Sequence, residues 1–252
     1  MFSFFFKKKI KVDAQFLGID VDMHSHLIPG IDDGAKTLED SIGLIRGLQD
    51  LGFKKIITTP HIYKEHYPNT KAGILRGLEE LKKGLIDANI DIAIEASAEY
   101  FMDDHFESLI DKNEILPLNG KDGKYVLVEM SFFGMPPKLE DYLFKIQLKG
   151  YTPILAHPER YLFYHNDYEQ FEELKSKGVL LQLNAGSISG YYGKPIKLIA
   201  QKLLKDKFVD LIGTDMHHVG HLDYLKTNVQ SSEYQQILSK YAFKNAEIFG
   251  EL

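Results

Sequence analysis

Cysteine is absent from all 252 residues of this sequence. Disulfide bonds, thiolate metal sites and reactions with a cysteine nucleophile, including those of cysteine-based phosphatases, are therefore excluded. An excess of basic residues is absent as well, because 30 lysines and arginines stand against 36 aspartates and glutamates. The resulting net charge of −6 argues against a general nucleic-acid-binding protein, which usually presents a basic face. We therefore expect no nucleic-acid partner.

Hydrophobic runs long enough to cross a bilayer are also missing from the sequence. Near the N-terminus, four phenylalanines within residues 2–6 precede four lysines within residues 7–11. This apolar stretch is too short for a signal peptide, and its basic residues lie on the wrong side. We expect a cytoplasmic protein whose residues 1–18 form a leader that is either flexible or in weak peripheral contact with a membrane.

Short β-branched and apolar runs alternate with amphipathic helical patterns, which is typical of βα units around a parallel sheet. The runs predict seven strands, at 19–23, 55–59, 91–97, 125–130, 152–156, 179–184 and 208–214. The other patterns predict helices at 37–51, 71–88, 103–111, 137–149, 168–177, 194–206 and 232–248. Thr37 and Gly52 are the expected N-cap and C′ residues of the first helix. The sequence thus predicts an α/β fold, with residues 19–252 forming a single domain close to the TIM barrel.

Imidazole and carboxylate side chains follow six of the seven predicted strands, and the sixth strand ends on Asn184. In barrels of this kind, catalytic residues collect at the carboxyl-terminal ends of the strands. In chain order, the side chains are His24, His26, Asp32, Asp33, His61, Glu99, Glu129, His157, Asp215 and His217. The sequence therefore predicts a cluster of potential metal ligands at one rim of the barrel.

Each of these residues alone has an ordinary explanation. A histidine after a strand is usually a hydrogen-bonded loop residue, and a buried Glu129 is compatible with a salt bridge. An unpartnered buried charge is costly, however, and convergence of the whole set favours a metal centre. Mixed imidazole and carboxylate ligands suit zinc, iron or manganese. At least nine candidate ligands predict two or three ions, which can activate water and bind a phosphoryl oxygen.

Six segments resemble motifs of the PHP superfamily (polymerase and histidinol phosphatase). They are DMHSHLIPGIDDGA (22–35), TPH (59–61), AEY (98–100), VEMS (128–131), AHPERY (156–161) and TDMHH (214–218). More narrowly, they resemble the bacterial PHP-type protein-tyrosine phosphatases of capsule and exopolysaccharide synthesis. This resemblance implies a distorted (β/α)7 barrel of the PHP type. It also implies hydrolysis of phosphotyrosine, usually with manganese, on a tyrosine kinase that controls polysaccharide export.

The resemblance further implies roles for individual residues. The first ion would be held by His24, His26 and Asp215, with Glu99 as a bridge; the second by Glu99, Glu129 and His157; and the third by Asp33, His61 and His217. Arg160 matches an arginine that contacts phosphate, with a structural salt bridge, for example to Glu159, as the alternative. A second arginine of the family is missing here, and His218 or His221 is the expected substitute. Asp32 is expected to orient a ligand or to assist proton transfer.

The sequence leaves three alternatives open. A small-molecule phosphomonoesterase of the histidinol-phosphatase type would share the metal centre, although the IDDGA and AHPER segments favour the tyrosine-phosphatase branch. A PHP nuclease is disfavoured by the acidic balance of the chain. A non-catalytic metal-binding or kinase-docking module is disfavoured because all nine ligand positions are filled. The sequence predicts neither the oligomeric state nor the identity of the kinase.

Overall fold

The computed structural model of the protein describes residues 19–250. The predicted leader, residues 1–18, lies outside the described residues. The strands are β1 (Val21–Asp22), β2 (Lys55–Thr58), β3 (His61–Ile62), β4 (Ala93–Ala96), β5 (Glu99–Phe101), β6 (Leu118–Asn119), β7 (Lys124–Glu129), β8 (Tyr151–Ala156), β9 (Leu180–Asn184) and β10 (Leu211–Gly213).

The helices surround these strands, and a 3₁₀ turn at Pro158–Arg160 follows β8. They are α1 (Leu38–Asp50), α2 (Lys71–Asp87), α3 (Asp104–Asp111), α4 (Leu139–Leu148), α5 (Leu162–His165), α6 (Glu169–Ser176), α7 (Ala185–Ser189), α8 (Lys194–Lys205), α9 (Val219–Asn228), α10 (Ser232–Leu238) and α11 (Asn245–Phe249). None of the helices in this part of the chain is long and apolar enough to cross a membrane.

The seven predicted strands form a ring of parallel neighbours. One sheet has the order β1-β2-β4, and the other has the order β10-β9-β8-β7-β5-β3, with β6 pairing antiparallel to β7. The N–H of His26, just after β1, donates to the carbonyl of Met216, just after β10, at 2.9 Å. This contact brings the seventh predicted strand against the first. These pairings confirm the predicted α/β fold of parallel strands.

Predicted strands two and three each continue, after an interruption, past their predicted ends. Strand two (55–59) corresponds to β2 and is followed by β3, and strand three (91–97) corresponds to β4 and is followed by β5; neither β3 nor β5 was predicted. Pro60 lies at the first interruption and has no N–H to donate to a neighbour. The N–H of Thr59 donates to the carbonyl of Ser25 at 2.6 Å instead. The strands β3 and β5 begin at His61 and Glu99, so each interruption is followed directly by a predicted ligand.

The core lies on both faces of the ring. Val21, Ile57, Leu127 and Ile154 belong to a small cluster of buried apolar side chains, together with Phe249 of α11. A larger cluster lies between the strands and the helices.

Both ends of α1 are as predicted. The N-cap is confirmed, because the Thr37 hydroxyl accepts from the N–H of Asp40 at 3.2 Å. Gly52, just past the end of α1, has φ 99°, as its predicted C′ role requires.

The predicted helix at 232–248 is wrong as a single element. It is two helices, α10 and α11, with a turn between them. Asn245 starts α11, and its side chain binds the backbone of two strands: Nδ2 donates to the carbonyls of Val21 at 2.9 Å and Ile212 at 2.7 Å. Helices α5, α7 and α9 were not anticipated. The N-cap of α9 is His218, which is not one of the residue types that signal a helix start.

Candidate metal centre and active-site cleft

All nine predicted metal ligands lie together at the carboxyl-terminal rim of the strands. Each belongs to at least one of four overlapping groups whose ligand atoms lie within 4.8 Å of one another. Six of the nine are buried; His61 and His217 are half-buried, and Asp33 is exposed. The groups are His24–His26–Asp215, His24–Glu99–His157, His61–Glu99–Glu129 and His26–Asp33–His61–His217.

The most deeply buried part of the centre contains two histidines and two carboxylates. Nε2 of His24 lies 3.2 Å from Oε2 of Glu99 and 3.4 Å from Oδ1 of Asp215. Nε2 of His26 lies 3.4 Å and 3.5 Å from the same two oxygens. The two Nε2 atoms are 3.3 Å apart. Four potential ligand atoms from strands one, three and seven therefore face one small volume.

The opposite ring nitrogens of both histidines are held by hydrogen bonds. Nδ1 of His24 lies 2.7 Å from Oε1 of Gln182, and Nδ1 of His26 lies 2.8 Å from Oδ2 of Asp32. Since both partner oxygens can only accept, both Nδ1 atoms carry a proton. Nε2 is therefore the nitrogen left to bind a cation on each ring. This arrangement is typical of metal-binding histidines, so the residues fit a divalent ion.

A more exposed part of the centre adjoins the first. Nδ1 of His61 lies 3.0 Å from Oε1 of Glu129, and its Nε2 lies 3.4 Å from Oδ1 of Asp33. Nε2 of His217 lies 3.5 Å from the same Asp33 oxygen. Nδ1 of His217 donates to the backbone carbonyl of Asp215 at 2.8 Å, which again leaves Nε2 facing the centre. Asp33, His61 and His217, expected to form one ligand set, therefore lie in contact.

Glu99 lies between the two parts. Its Oε2 faces His24 and also lies 3.2 Å from Nδ1 of His61, while its Oε1 lies 3.0 Å from Nε2 of His157. Glu129 is closer to His61 than to His157, from which it is 4.0 Å away. Glu99 thus has the position expected of a carboxylate that bridges two ions. Glu129 lies between His157, which belongs to the same predicted ligand set, and His61, which belongs to the third set.

Close packing of opposite charges shifts the pKa values of these groups. Burial alone would lower the pKa of His24, but the carboxylates of Glu99 and Asp215 raise it to about 9. Burial also opposes ionisation of Glu99 and Asp215, yet the neighbouring histidines hold both pKa values well below the usual range. The centre therefore binds protons at neutral pH in the absence of metal, and these protons compete with metal ions.

Two of the predicted ligands have left-handed backbone conformations. His157 has φ 35° and Asp215 has φ 51°. Neither residue is a glycine, and such conformations cost on the order of 1–3 kcal/mol each. Both strained residues lie at the rim of the strands, and both turn their side chains into the centre.

Arg160 lies between the centre and two aromatic rings. Its Nη1 donates to Oδ2 of Asp215 at 3.1 Å. Its guanidinium carbon lies 4.6 Å from the centroid of Phe132 and 4.4 Å from that of Tyr192. Arg160 thus forms the structural salt bridge that was the alternative to phosphate contact, but its partner is Asp215 rather than Glu159. Oε1 of Glu159 accepts instead from the Ser187 hydroxyl at 2.6 Å.

Strand six contributes to the centre through amides, which the sequence reasoning missed. Gln182 holds His24, and Nδ2 of Asn184 donates to Oδ2 of Asp215 at 2.6 Å. The hydroxyl of Tyr192 lies 3.3 Å from the same oxygen. The signal in the sequence was the pair of amides two residues apart in the apolar run LLQLN, which places both on one face of the strand.

The remaining predicted site residues lie around the centre. Asp32 is buried beneath His26, and its Oδ2 also accepts from the N–H of His61 at 3.2 Å. His218 and His221 line the cleft above the centre. Burial lowers the pKa of His221 to about 4, so this side chain is neutral at pH 7. The roles of Asp32 in proton transfer and of these two histidines in phosphate contact stay predictions.

A cleft of about 510 Å³ opens onto the centre. Its floor includes Asp33, His61, Glu129, His157 and Asp215, and Arg160 lies at one side. Its aromatic lining is Tyr63, Tyr67, Phe101, Phe132, Phe133 and Tyr192. A polar, ligand-rich floor under an aromatic wall is suited to a molecule with an anionic group on an aryl ring.

Residues 20–243 match the family model of capsular polysaccharide synthesis proteins, CpsB/CapC. The chain belongs to the CpsB/CapC family. A family relative, the tyrosine-protein phosphatase YwqE of Bacillus subtilis (strain 168), is 33% identical over 199 residues, which cover 79% of this chain and 78% of YwqE. The tyrosine-protein phosphatase CpsB of Streptococcus pneumoniae is 30% identical over 233 residues, which cover 90% of this chain and 93% of CpsB.

Solved structures agree with the CpsB/CapC assignment. One comes from the crystal structures of YwqE from Bacillus subtilis and CpsB from Streptococcus pneumoniae, described as unique metal-dependent tyrosine phosphatases. It superposes with a TM-score of 0.74 and 28% identity, covering 88% of this chain and 96% of that chain. The histidinol phosphate phosphatase of Lactococcus lactis superposes with a TM-score of 0.55 and 15% identity, covering 89% and 94%, which shows the fold alone. The resemblance to the PHP-type tyrosine phosphatases is confirmed.

Proposed function

We infer that this chain is a metal-dependent protein-tyrosine phosphatase of capsule or exopolysaccharide synthesis. The observation that carries this conclusion is the convergence of nine imidazole and carboxylate side chains beneath a cleft with an aromatic wall. Membership of the CpsB/CapC family, whose relatives YwqE and CpsB are named tyrosine-protein phosphatases, supports the same activity.

The centre is proposed to hold two or three divalent ions, with manganese as the expected metal and iron or zinc as alternatives. His24, His26 and Asp215 would hold the first ion, with Glu99 as the bridge. Glu99, Glu129 and His157 would hold the second, and Asp33, His61 and His217 the third. Support for more than one ion comes from the overlap of the four groups of ligand atoms, because His24, His26, His61 and Glu99 each belong to two of them.

Bound cations would lower the pKa of an attacking water and neutralise phosphoryl oxygens. Arg160 is placed to contribute a further positive charge to the phosphoryl group, in bidentate contact. Its position is held by Asp215 and by the rings of Phe132 and Tyr192. A tyrosinate leaving group has a conjugate acid of pKa about 10 and needs little protonation, so hydrolysis does not require a strong general acid.

The substrate is proposed to be phosphotyrosine on a tyrosine kinase that controls polysaccharide export. This proposal extends the family's role in capsular polysaccharide synthesis to the present chain. Weak contact of the N-terminal leader with a membrane stays a prediction.

The test begins with removal of metal from the purified protein. Phosphate release from phosphotyrosine, phosphoserine and histidinol phosphate is then measured with and without added manganese. We expect hydrolysis of phosphotyrosine that returns only with metal and is lost in His157→Ala. His105→Ala is the matched control, because His105 lies outside the four ligand groups.

Metal-dependent hydrolysis of histidinol phosphate alone would instead favour a small-molecule phosphomonoesterase with the same centre. No turnover of the three compounds by protein with two or three bound ions would contradict the phosphatase assignment and make a nuclease assay the next experiment.

A further inference from the structure

An exposed apolar loop borders the cleft. It comprises residues 131–135, which follow β7, and we call it the apolar loop. Phe133 is 100% exposed, Phe132 is 41% exposed and Met135 is 49% exposed. Both phenylalanines line the cleft. A contiguous apolar surface of this kind, next to a polar site, is typical of contact with another molecule.

A groove of about 410 Å³ lies between the starts of α1 and α9, and we call it the α1–α9 groove. Its apolar lining is formed by Leu44, Leu222 and Val219, which is 65% exposed, and the charged residues Lys36, Glu39 and Asp40 line it as well. Gly43 also lines it, and a Cβ added there would have no atom within 4 Å. The groove joins the cleft, because Asp33, His217 and His218 line both.

The strand order implies that the two surfaces lie on opposite sides of the metal centre. The apolar loop follows β7, the fourth strand of the ring. The groove follows β1 and β10, which are the first and seventh strands and lie side by side. In a ring of seven, the fourth position is across from the boundary between the first and the seventh. A molecule that contacts both surfaces must therefore cross the mouth of the cleft.

We propose that an extended polypeptide carrying the phosphotyrosine crosses the mouth, with one flank on the apolar loop and the other in the α1–α9 groove. This inference rests on the proposed function. An extended chain advances about 3.3 Å per residue and turns alternate side chains to one face, so a few residues on each side of the phosphotyrosine reach both surfaces. Continuity of both surfaces with the cleft favours the substrate polypeptide over a second copy of the chain. The preferred substrate thus has apolar residues on both sides of its phosphotyrosine.

Binding of a non-hydrolysable probe to the manganese-loaded protein tests this path. The probe is a nonapeptide with a central phosphonomethyl-phenylalanine and leucine or valine on both sides; the free phosphonate amino acid is the reference. Fluorescence anisotropy and competition give both Kd values. We expect the peptide to bind at least about tenfold more tightly than the free amino acid, and Phe133→Ser and Gly43→Phe each to remove most of this difference.

Two variants serve as controls for these substitutions. Phe144→Ser removes a phenyl group that is 64% exposed on α4 and does not line the cleft. Gly43→Ala adds only a methyl group, which leaves the groove open. Both controls are expected to retain the peptide preference.

Equal binding of the peptide and the free amino acid by the wild type would overturn the proposal. An effect of only one of the two test variants, or equal effects of a test variant and its control, would overturn it as well. Turnover of free phosphotyrosine is measured in parallel. Peptide preference without any turnover would contradict the proposed function while supporting this docking path.

Discussion

The side-chain amide oxygen of Gln182 accepts a hydrogen bond from Nδ1 of His24 at 2.7 Å. Both side chains are fully buried, and Nε2 of Gln182 donates to Oδ1 of Asn184 at 3.0 Å, which fixes the direction of the amide. The orientation of a predicted metal ligand on strand one is therefore controlled by an amide on strand six.

Gln182→Leu removes this hydrogen bond while conserving most of the side-chain volume. We expect metal affinity to fall about 10–100-fold, because loss of a partner that orients a ligand typically costs this much. The measurement is metal content and affinity by calorimetry, with Gln201→Leu as a control on α8. Wild-type affinity in Gln182→Leu would contradict the orienting role.

Arg160→Lys retains the positive charge but loses the planar guanidinium, which lies between Phe132 and Tyr192. We expect kcat for phosphotyrosine to fall about 10²-fold, the typical loss when one stabilising donor is removed. Metal content, measured by mass spectrometry, should stay within twofold of the wild type. The control is Arg46→Lys, since Arg46 is exposed and donates to the carbonyl of Ala88. Loss of bound metal in Arg160→Lys would instead indicate a role in maintaining the centre through Asp215.

The affinity for metal should depend on pH through His24. Its pKa in the metal-free protein is raised to about 9 by Glu99 and Asp215, against the effect of burial, so a proton must leave before Nε2 binds a cation. Affinity is therefore expected to rise at least about tenfold per pH unit from pH 7 to about 9, because the pKa values of His61 and His217 are raised as well and their protons add to the competition. Competition with a chromophoric chelator, corrected for the protonation of the chelator, measures this slope. A flat profile would show that His24 holds no proton in competition with metal.

Gly34 is required by a close approach of two backbone segments. A Cβ at this position would lie 2.2 Å from the carbonyl oxygen of His26. Gly34→Ala should therefore destabilise the protein by about 1–3 kcal/mol, the usual cost of overpacking, and weaken metal binding. Denaturant unfolding of the metal-free protein measures the change. Gly43→Ala, which adds a methyl group in open space, should leave stability unchanged or raise it by up to about 1 kcal/mol.

Periodicity and spacing were sufficient to predict most of the helices and seven of the ten strands described in residues 19–250, all but β3, β5 and β6. The apolar run at 125–130 and the helical pattern at 71–88 correspond to β7 (Lys124–Glu129) and α2 (Lys71–Asp87). These signals are local, because burial of one face imposes a repeat on the residues that form it. Helix α9 was missed because its N-cap is His218 rather than a standard N-cap residue. The predicted helix at 232–248 is interrupted between α10 and α11, and Asn245 at the start of α11 binds the carbonyls of Val21 and Ile212, which are distant in the sequence.

The sequence by itself determined the kind of centre. It places histidines and carboxylates directly after strands, and parallel strands bring their carboxyl-terminal ends to one rim. Only the tertiary structure decided how individual atoms meet. Gln182 is 158 residues from His24, and Asn184 is 31 residues from Asp215. Contacts of this kind depend on which strands become neighbours and on the rotation of each side chain, and neither is encoded by a local repeat.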